Sequence, residues 1–230
     1  MGHAVVLLTS FMVLVAAGAS AETRTLSFTD FDAVDVGHGM RASIRQGDGY
    51  RVQATGTAES LARLEVKKNG RRLEFSVESN WGSWFSGGGI TLDITLPRLR
   101  GLALSGGSTG TLDMQIGADP FLANLSGGSS LHGRLGAGDV NLALSGGSRA
   151  DLSGTGQHLR LSGSGGSKYL LKNLATGNVQ AHLSGGSEAT VTLKGHLSAS
   201  LSGGSDVTYH GNPAIGEVHT SGGSRVRKGT

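Results

Sequence analysis

The chain has 230 residues, 40 of them Gly, 3 Pro and none Cys, with a formal net charge of +3. Without Cys there is no disulfide framework, no thiol chemistry and no lipobox to acylate. Lys and Arg are scattered rather than set in a basic stripe with interleaved aromatics, so nucleic acid is not an expected partner.

Residues 1–21 read as a secretory signal peptide, cut before Glu22. Val5-Val6-Leu7-Leu8 and Phe11-Met12-Val13-Leu14-Val15 supply its apolar core, and Ala19-Ser20-Ala21 is a small-residue cleavage site of the A-x-A type. The apolar stretch is short and ends in small residues, which argues against a membrane anchor; no transmembrane span is expected after cleavage. One β-helix domain then covers 22–230, with irregular N-terminal strands and a cap at 22–97 and a repeat region at 98–230.

In the first part, Phe31-Asp32-Ala33-Val34-Asp35-Val36, Met40-Arg41-Ala42-Ser43-Ile44, Tyr50-Arg51-Val52-Gln53-Ala54, Leu73-Glu74-Phe75-Ser76-Val77 and Ile90-Thr91-Leu92-Asp93-Ile94-Thr95-Leu96 alternate as strands do. Asp48-Gly49 and Asn69-Gly70 mark turns between them, and Ser60–Leu64 has room for one helical turn. These strands are expected to continue the sheets that follow and to cover their open end.

Both Trp residues lie in the Gly-rich segment Trp81-Gly82-Ser83-Trp84-Phe85-Ser86-Gly87-Gly88-Gly89. Trp faces stack on sugars or rest at a membrane interface, so Trp81, Trp84 and Phe85 are candidate ligand contacts. The alternative is that they fold over the β-helix and seal its core.

From residue 98 the chain repeats. Ser-Gly-Gly-Ser begins at Ser105, Ser126, Ser145, Ser164, Ser184, Ser202 and Ser221, in steps of 21, 19, 19, 20, 18 and 19 residues. Such a period marks a stacked architecture. With the first Ser as position zero, positions −5, −3 and −1 are largely apolar, as in Val140, Leu142 and Leu144; the pattern resumes at +5, +7 and +9, as in Ala189, Val191 and Leu193. Each repeat therefore carries two half-buried strands flanking the tetrapeptide. Propeller blades need about 40 residues or more, twice this period. A β-helix pairs each strand with its equivalent one coil away and stacks Leu on Leu or Val and Gly on Gly. The expected fold is all-β: a single-stranded right-handed parallel β-helix with ~19-residue coils.

If alternation runs through the tetrapeptide, the first Gly and last Ser point inward. Ser108, Ser129, Ser148, Ser167, Ser187, Ser205 and Ser224 then form an inner column whose hydroxyls need partners. Glycine turn chemistry accounts for the motif structurally, and the outward strip of small residues is the part open to docking a glycan or another sheet.

Catalytic patterns are not expected. His182 and His219 share position −2, and His158 and His196 share −6, but each pair lies two coils or ~9.6 Å apart, too far for one metal. Asp113, Asp139, Asp151, Glu188 and Asp206 fall at different offsets and should not gather on one face, as polysaccharide-cleaving carboxylates must. No His–Asp pairing is assignable, Gly163-Ser164-Gly165 is repeat turn rather than a nucleophile elbow, and Ser-Gly-Gly-Ser lacks the ending of a phosphate loop. No cofactor or metal is expected, and the chain reads as a non-enzyme.

Phe28-Thr29-Asp30-Phe31-Asp32-Ala33-Val34, Ile44-Arg45-Gln46-Gly47 and Leu92-Asp93-Ile94-Thr95-Leu96-Pro97-Arg98-Leu99, followed by Ser-Gly-rich repeats after short strands, resemble the head GIN domain proteins, labelled auto-transporter adhesins. The resemblance covers essentially all of 22–230 and carries no catalytic residues to transfer. It implies an exported, right-handed parallel β-helix and no particular molecular function. The expected location is periplasmic or the cell surface, and the expected partner a cell-surface glycan or an envelope protein. Six residues follow Ser224, too few for a translocator barrel, so the chain is not expected to export itself. The expected function is an adhesin-like binding or structural module. The alternatives are a polysaccharide-acting β-helix enzyme and a self-assembling envelope scaffold built through exposed coil ends.

Overall fold

The computed structural model describes residues 21–77 and 89–230. The N-terminal part holds β1 (Glu22–Leu26), β2 (Ala33–Val36), β3 (Arg41–Gln46), β4 (Arg51–Gly56), helix α1 (Ala58–Ala62), β5 (Leu64–Asn69), β6 (Arg72–Val77) and β7 (Thr91–Leu96). The repeats hold β8 (Gly101–Leu104), β9 (Thr109–Gln115), β10 (Phe121–Leu125), β11 (Ser130–Gly136), β12 (Asp139–Leu144) and two long strands, β13 (Arg149–Gly163) and β14 (Lys168–Leu183). After them come β15 (Glu188–Leu193), β16 (His196–Leu201), β17 (Asp206–His210), β18 (Ala214–Thr220) and β19 (Arg225–Lys228).

These strands wind into a right-handed parallel β-helix with two long faces. Strands that enter a Ser-Gly-Gly-Ser corner pair with one another in the order β6, β2, β8, β10, β12, the second half of β13, the second half of β14, β16 and β18, here termed the leading sheet. Strands that leave it form the trailing sheet: β7, β3, β9, β11, the first halves of β13 and β14, β15, β17 and β19. The pairing is in register, so Val140, Leu159, Val179 and Leu197 form one column and Leu142, Leu161, Ala181 and Ala199 the next. All of these residues are buried between the two sheets. Each Leu or Val sunk in this way contributes about 1.5–3 kcal/mol relative to exposure.

The corner is a type I′ turn. Gly146 and Gly147 have φ of 61° and 74°, and the Ser148 N–H donates to the Ser145 carbonyl at 3.3 Å. Two successive left-handed residues break the strand alternation, so the first Gly is exposed rather than inward; only the last Ser turns into the core. The six inner serines from Ser108 to Ser205 have no exposed surface, and Ser224 is 9% exposed. The hydroxyls of those six donate to the carbonyl of the Ser opening their own turn, at 2.7–2.9 Å. The column is thus stapled turn by turn, and near its end its hydroxyls also link coils: the Ser187 N–H donates to Ser205 Oγ at 3.3 Å and the Ser205 N–H to Ser224 Oγ at 3.0 Å.

The two glycines differ in what forbids a side chain. A Cβ on Gly146 would lie 3.2 Å from the Gly127 backbone nitrogen, whereas one on Gly147 would meet nothing within 4 Å. Stacking crowds the first in addition to its torsion, and torsion alone restricts the second.

The N-terminal coils depart from a simple progression. β2 and β3 form the second coil, while β6 and β7, later in the chain, form the end coil. Pro97–Arg100 then carries the chain past the β2–β3 coil to β8. Gly37-His38-Gly39-Met40 is a disguised corner: φ is 58° at His38 and 72° at Gly39, and Met40 is buried where the repeats place Ser. In the end coil Ile90 takes the same inner position, its carbonyl accepting from the Arg41 N–H at 3.1 Å. Antiparallel β4 and β1 extend the trailing sheet and antiparallel β5 extends the leading one. With α1, capped by Thr57, they lie at the end of the column.

Candidate functional site

Strand alternation sends positions −4 and −2 of the leading sheet outward, and the fold places no demand on their identity. Here the −2 column runs Ala103, Asn124, Ala143, Ser162, His182. Beside it stand the corner hydroxyls of Ser105, Ser126, Ser145 and Ser164. Small side chains next to projecting turns leave a groove of about 480 Å³ lined by these residues. Five coils at the strand spacing give it a length of ~19 Å. No Lys, Arg, Asp or Glu lines it.

The floor of the groove has a specific construction at Gly163, where the other repeats place Leu or Thr. The space is filled from below by Tyr169, the largest fully buried side chain. A Cβ on Gly163 would come within 2.9 Å of its ring. The Tyr169 hydroxyl accepts from the Leu144 N–H at 3.2 Å and donates to the Ser162 carbonyl. A phenol thus bridges two groups that pair directly elsewhere in a parallel ladder. Burial raises its pKa well above the ordinary phenol value, opposed by the hydrogen bond from Leu144.

Further back on the same strands lies a second cleft, of about 350 Å³, lined by His158, Arg160, Asn178, Gln180, His196 and Ser198 with two aliphatic neighbours. Asp139 pairs with His158 in register, His158 with Asn178, and Asn178 Oδ1 accepts from the His196 N–H at 2.8 Å. His158 Nδ1 and Asp139 Oδ1 are 2.9 Å apart, and an Arg160 guanidinium nitrogen lies 3.4 Å from Asp139 Oδ2. The hydrogen bond from His158, aided by Arg160, holds the Asp139 carboxyl below its ordinary value. Sequence reading missed this pair, although both residues stand at position −6 of successive repeats.

The pair does not extend to a catalytic triad. Ser198 lies two coils from His158, ~9.6 Å by the strand spacing, beyond hydrogen-bond reach. Among the described residues there is also no group of three His, Asp or Glu suited to a metal. The carboxylates gather more than their offsets suggested: Asp113, Asp151, Glu188 and Asp206 all face outward on the trailing sheet. Glu188 and Asp206 share one column as in-register neighbours one coil apart, contrary to the different offsets expected for them, while Asp113 and Asp151 stand in other columns. Three of the four face cations, as in Arg149–Asp151 (3.5 Å), Lys168–Glu188 (3.5 Å) and Arg225–Asp206 (3.4 Å). His182 and His219 are two coils apart, as their spacing predicted. Trp81, Trp84 and Phe85 lie outside the described residues, on the segment joining β6 to β7.

No helix among the described residues is long and apolar enough to cross a membrane. A family model described as "Putative auto-transporter adhesin, head GIN domain" matches residues 30–213. No curated protein matches the sequence significantly. Among solved structures, a protein described as a putative adhesin from Bacteroides fragilis superposes with a TM-score of 0.82 at 20% identity, covering 92% of this chain and 98% of its own. A putative adhesin from Parabacteroides merdae gives 0.69 at 14% identity, covering 91% and 96% of the two chains. A protein from Parabacteroides distasonis described as a putative lipid binding protein gives 0.69 at 16%, covering 91% and 97%. At these identities the likeness is one of fold.

Proposed function

The chain belongs to the head GIN domain family, and from that premise we propose that it is an exported, adhesin-like recognition module of the cell envelope. Its leading face docks a neutral saccharide chain along the groove. The observation that carries this reading is a groove in which four successive coils present small, hydroxyl- or amide-bearing side chains, Ala103, Asn124, Ala143 and Ser162, and His182 closes the fifth, with no Lys, Arg, Asp or Glu in the lining. Serine hydroxyls and the Asn124 amide both donate and accept, which suits sugar hydroxyls better than a charged partner. A repeating ligand can bind a repeating surface with many weak contacts in parallel, so affinity comes from length. Residues 1–21 act as the export signal, and the described domain has no catalytic task in this reading. Trp81, Trp84 and Phe85 provide a second contact surface by stacking on sugar rings.

Backbone-amide NMR of the chain from Glu22, titrated with a panel of neutral envelope oligosaccharides, tests the groove. Shifts should concentrate at Asn124, Ala143, Ser145 and Ser162 and grow with oligomer length. Shifts scattered over both faces, or none with any member of the panel, would overturn the reading. Changing Trp81 and Trp84 together to Ala should weaken binding while leaving the melting temperature nearly unchanged; a large stability loss with unaltered binding rules out their contact role.

A further inference from the structure

The second cleft lies on the leading face but differs chemically from the groove. Of the six polar residues that line it, Arg160 is the one carrying a fixed charge, and no carboxylate lines the cleft with it. Its internal partner Asp139 is one coil away at 3.4 Å, a loose and single contact that leaves the rest of the guanidinium fork free. Such a fork matches the two oxygens of a carboxylate. Around it, the Asn178 and Gln180 amides and the Ser198 hydroxyl offer neutral donors and acceptors, while His158 and His196 bound the cleft along the column. The two cavities share strands β13 and β14: Arg160 is two residues before Ser162, and Gln180 two before His182. Outward residues at that spacing lie ~7 Å apart, so one ligand can reach both sites.

We infer that the cleft at His158, Arg160, Asn178 and His196 is a subsite for a carboxylate-bearing sugar, a uronate unit in the saccharide that the leading face docks. The inference rests on that face being the docking face. Arg160 takes the carboxylate through two N–H donors, the amides and Ser198 take ring hydroxyls, and Asp139 orients His158 from outside the cleft while competing weakly for Arg160. Recognition is thereby divided: the groove measures neutral length and the cleft selects an acidic unit.

The experiment uses the chain from Glu22 with ¹³C-labelled histidine rings, titrated separately with trigalacturonate, galactotriose and inorganic sulfate. The expected result is a shift of the His158 and His196 ring signals with trigalacturonate only. Arg160→Gln should weaken that binding about tenfold or more, as loss of a charge-assisted pair does, with the fold unaltered by circular dichroism. Asp139→Asn, which frees the guanidinium, should tighten it by about threefold. Equal shifts with galactotriose, shifts with sulfate at the same concentration, or an unaffected Arg160→Gln variant would each overturn the proposal. His182, in the groove, reports the other reading independently. If it stays silent with galactotriose and trigalacturonate alike while His158 and His196 respond to trigalacturonate, the groove fails and the cleft stands; if it alone responds, the cleft fails.

Discussion

The two outer faces of this β-helix share one core and one register, yet they are written in different residues. On the trailing face the outward positions of the repeats carry Arg134, Arg149, Asp151, Lys168, Lys172, Glu188, Asp206 and Arg225. On the leading face the corresponding coils carry Ala103, Leu122, Asn124, Asn141, Ala143, Ser162 and Gln180, with Asp139, Arg160 and Glu217 as the charged exceptions. Packing cannot be the cause, since both sheets bury the same alternating Leu, Val and Ala. Nor can stability, because exposed ion pairs such as Lys168–Glu188 contribute about 0–1 kcal/mol. Charge on the trailing face keeps it hydrated and unattractive to partners. Its scarcity on the leading face, together with both cavities, is what the proposed docking role rests on.

The comparison can be broken at its hinge. The corner turns form one wall of the groove, and Gly146→Ala should cost about 2 kcal/mol or more, from left-handed torsion and from collision with the Gly127 backbone 3.2 Å away. Gly147→Asn, facing open space in a conformation Asn tolerates, should cost less than about 1 kcal/mol. Urea midpoints of the pair separate the two; equal losses would mean that torsion alone governs the corner.

Next in size is the groove floor. Tyr169→Phe leaves the Leu144 N–H and Ser162 carbonyl without their bridge, an expected loss of about 1–3 kcal/mol with faster amide exchange at Leu144. The same phenol gives the fold a pH signature. Its folded pKa lies above the unfolded value, so its contribution is fully present below about pH 10 and is lost as the pH climbs from there toward the folded pKa. The wild type should lose stability over that alkaline window and Tyr169→Phe should lose less.

Smallest are the trailing pairs. Lys168→Ala or Arg149→Ala should change stability by under about 0.5 kcal/mol and leave ligand binding alone.

Much of this was legible in the sequence because a parallel β-helix repeats its constraints. Val140, Leu142 and Leu144 announce a strand, and their equivalents one coil on announce the pairing. The inner serine column followed from the same count. What escaped had lost the repeat or depended on geometry between repeats. Gly37-His38-Gly39-Met40 shares one glycine position with Ser-Gly-Gly-Ser, yet it adopts the same turn. The detour that places β6 and β7 outside β2 and β3 leaves no periodic trace. Alternation carried through the corner turns the first Gly inward, but the type I′ turn breaks that alternation and leaves it exposed. The Asp139–His158 pair was visible only as two residues at position −6, and its significance needed the cleft beside it.

The most direct test places the same bulky charge on each face in turn. Ala143→Arg and Ser145→Arg on the leading face, and Thr190→Arg on the trailing face, are compared by isothermal titration with one neutral envelope oligosaccharide that binds the wild type. The account predicts loss of binding in the first two variants, wild-type affinity in the third and unchanged urea midpoints in all three. Loss on Thr190→Arg with retention on Ala143→Arg and Ser145→Arg would contradict it.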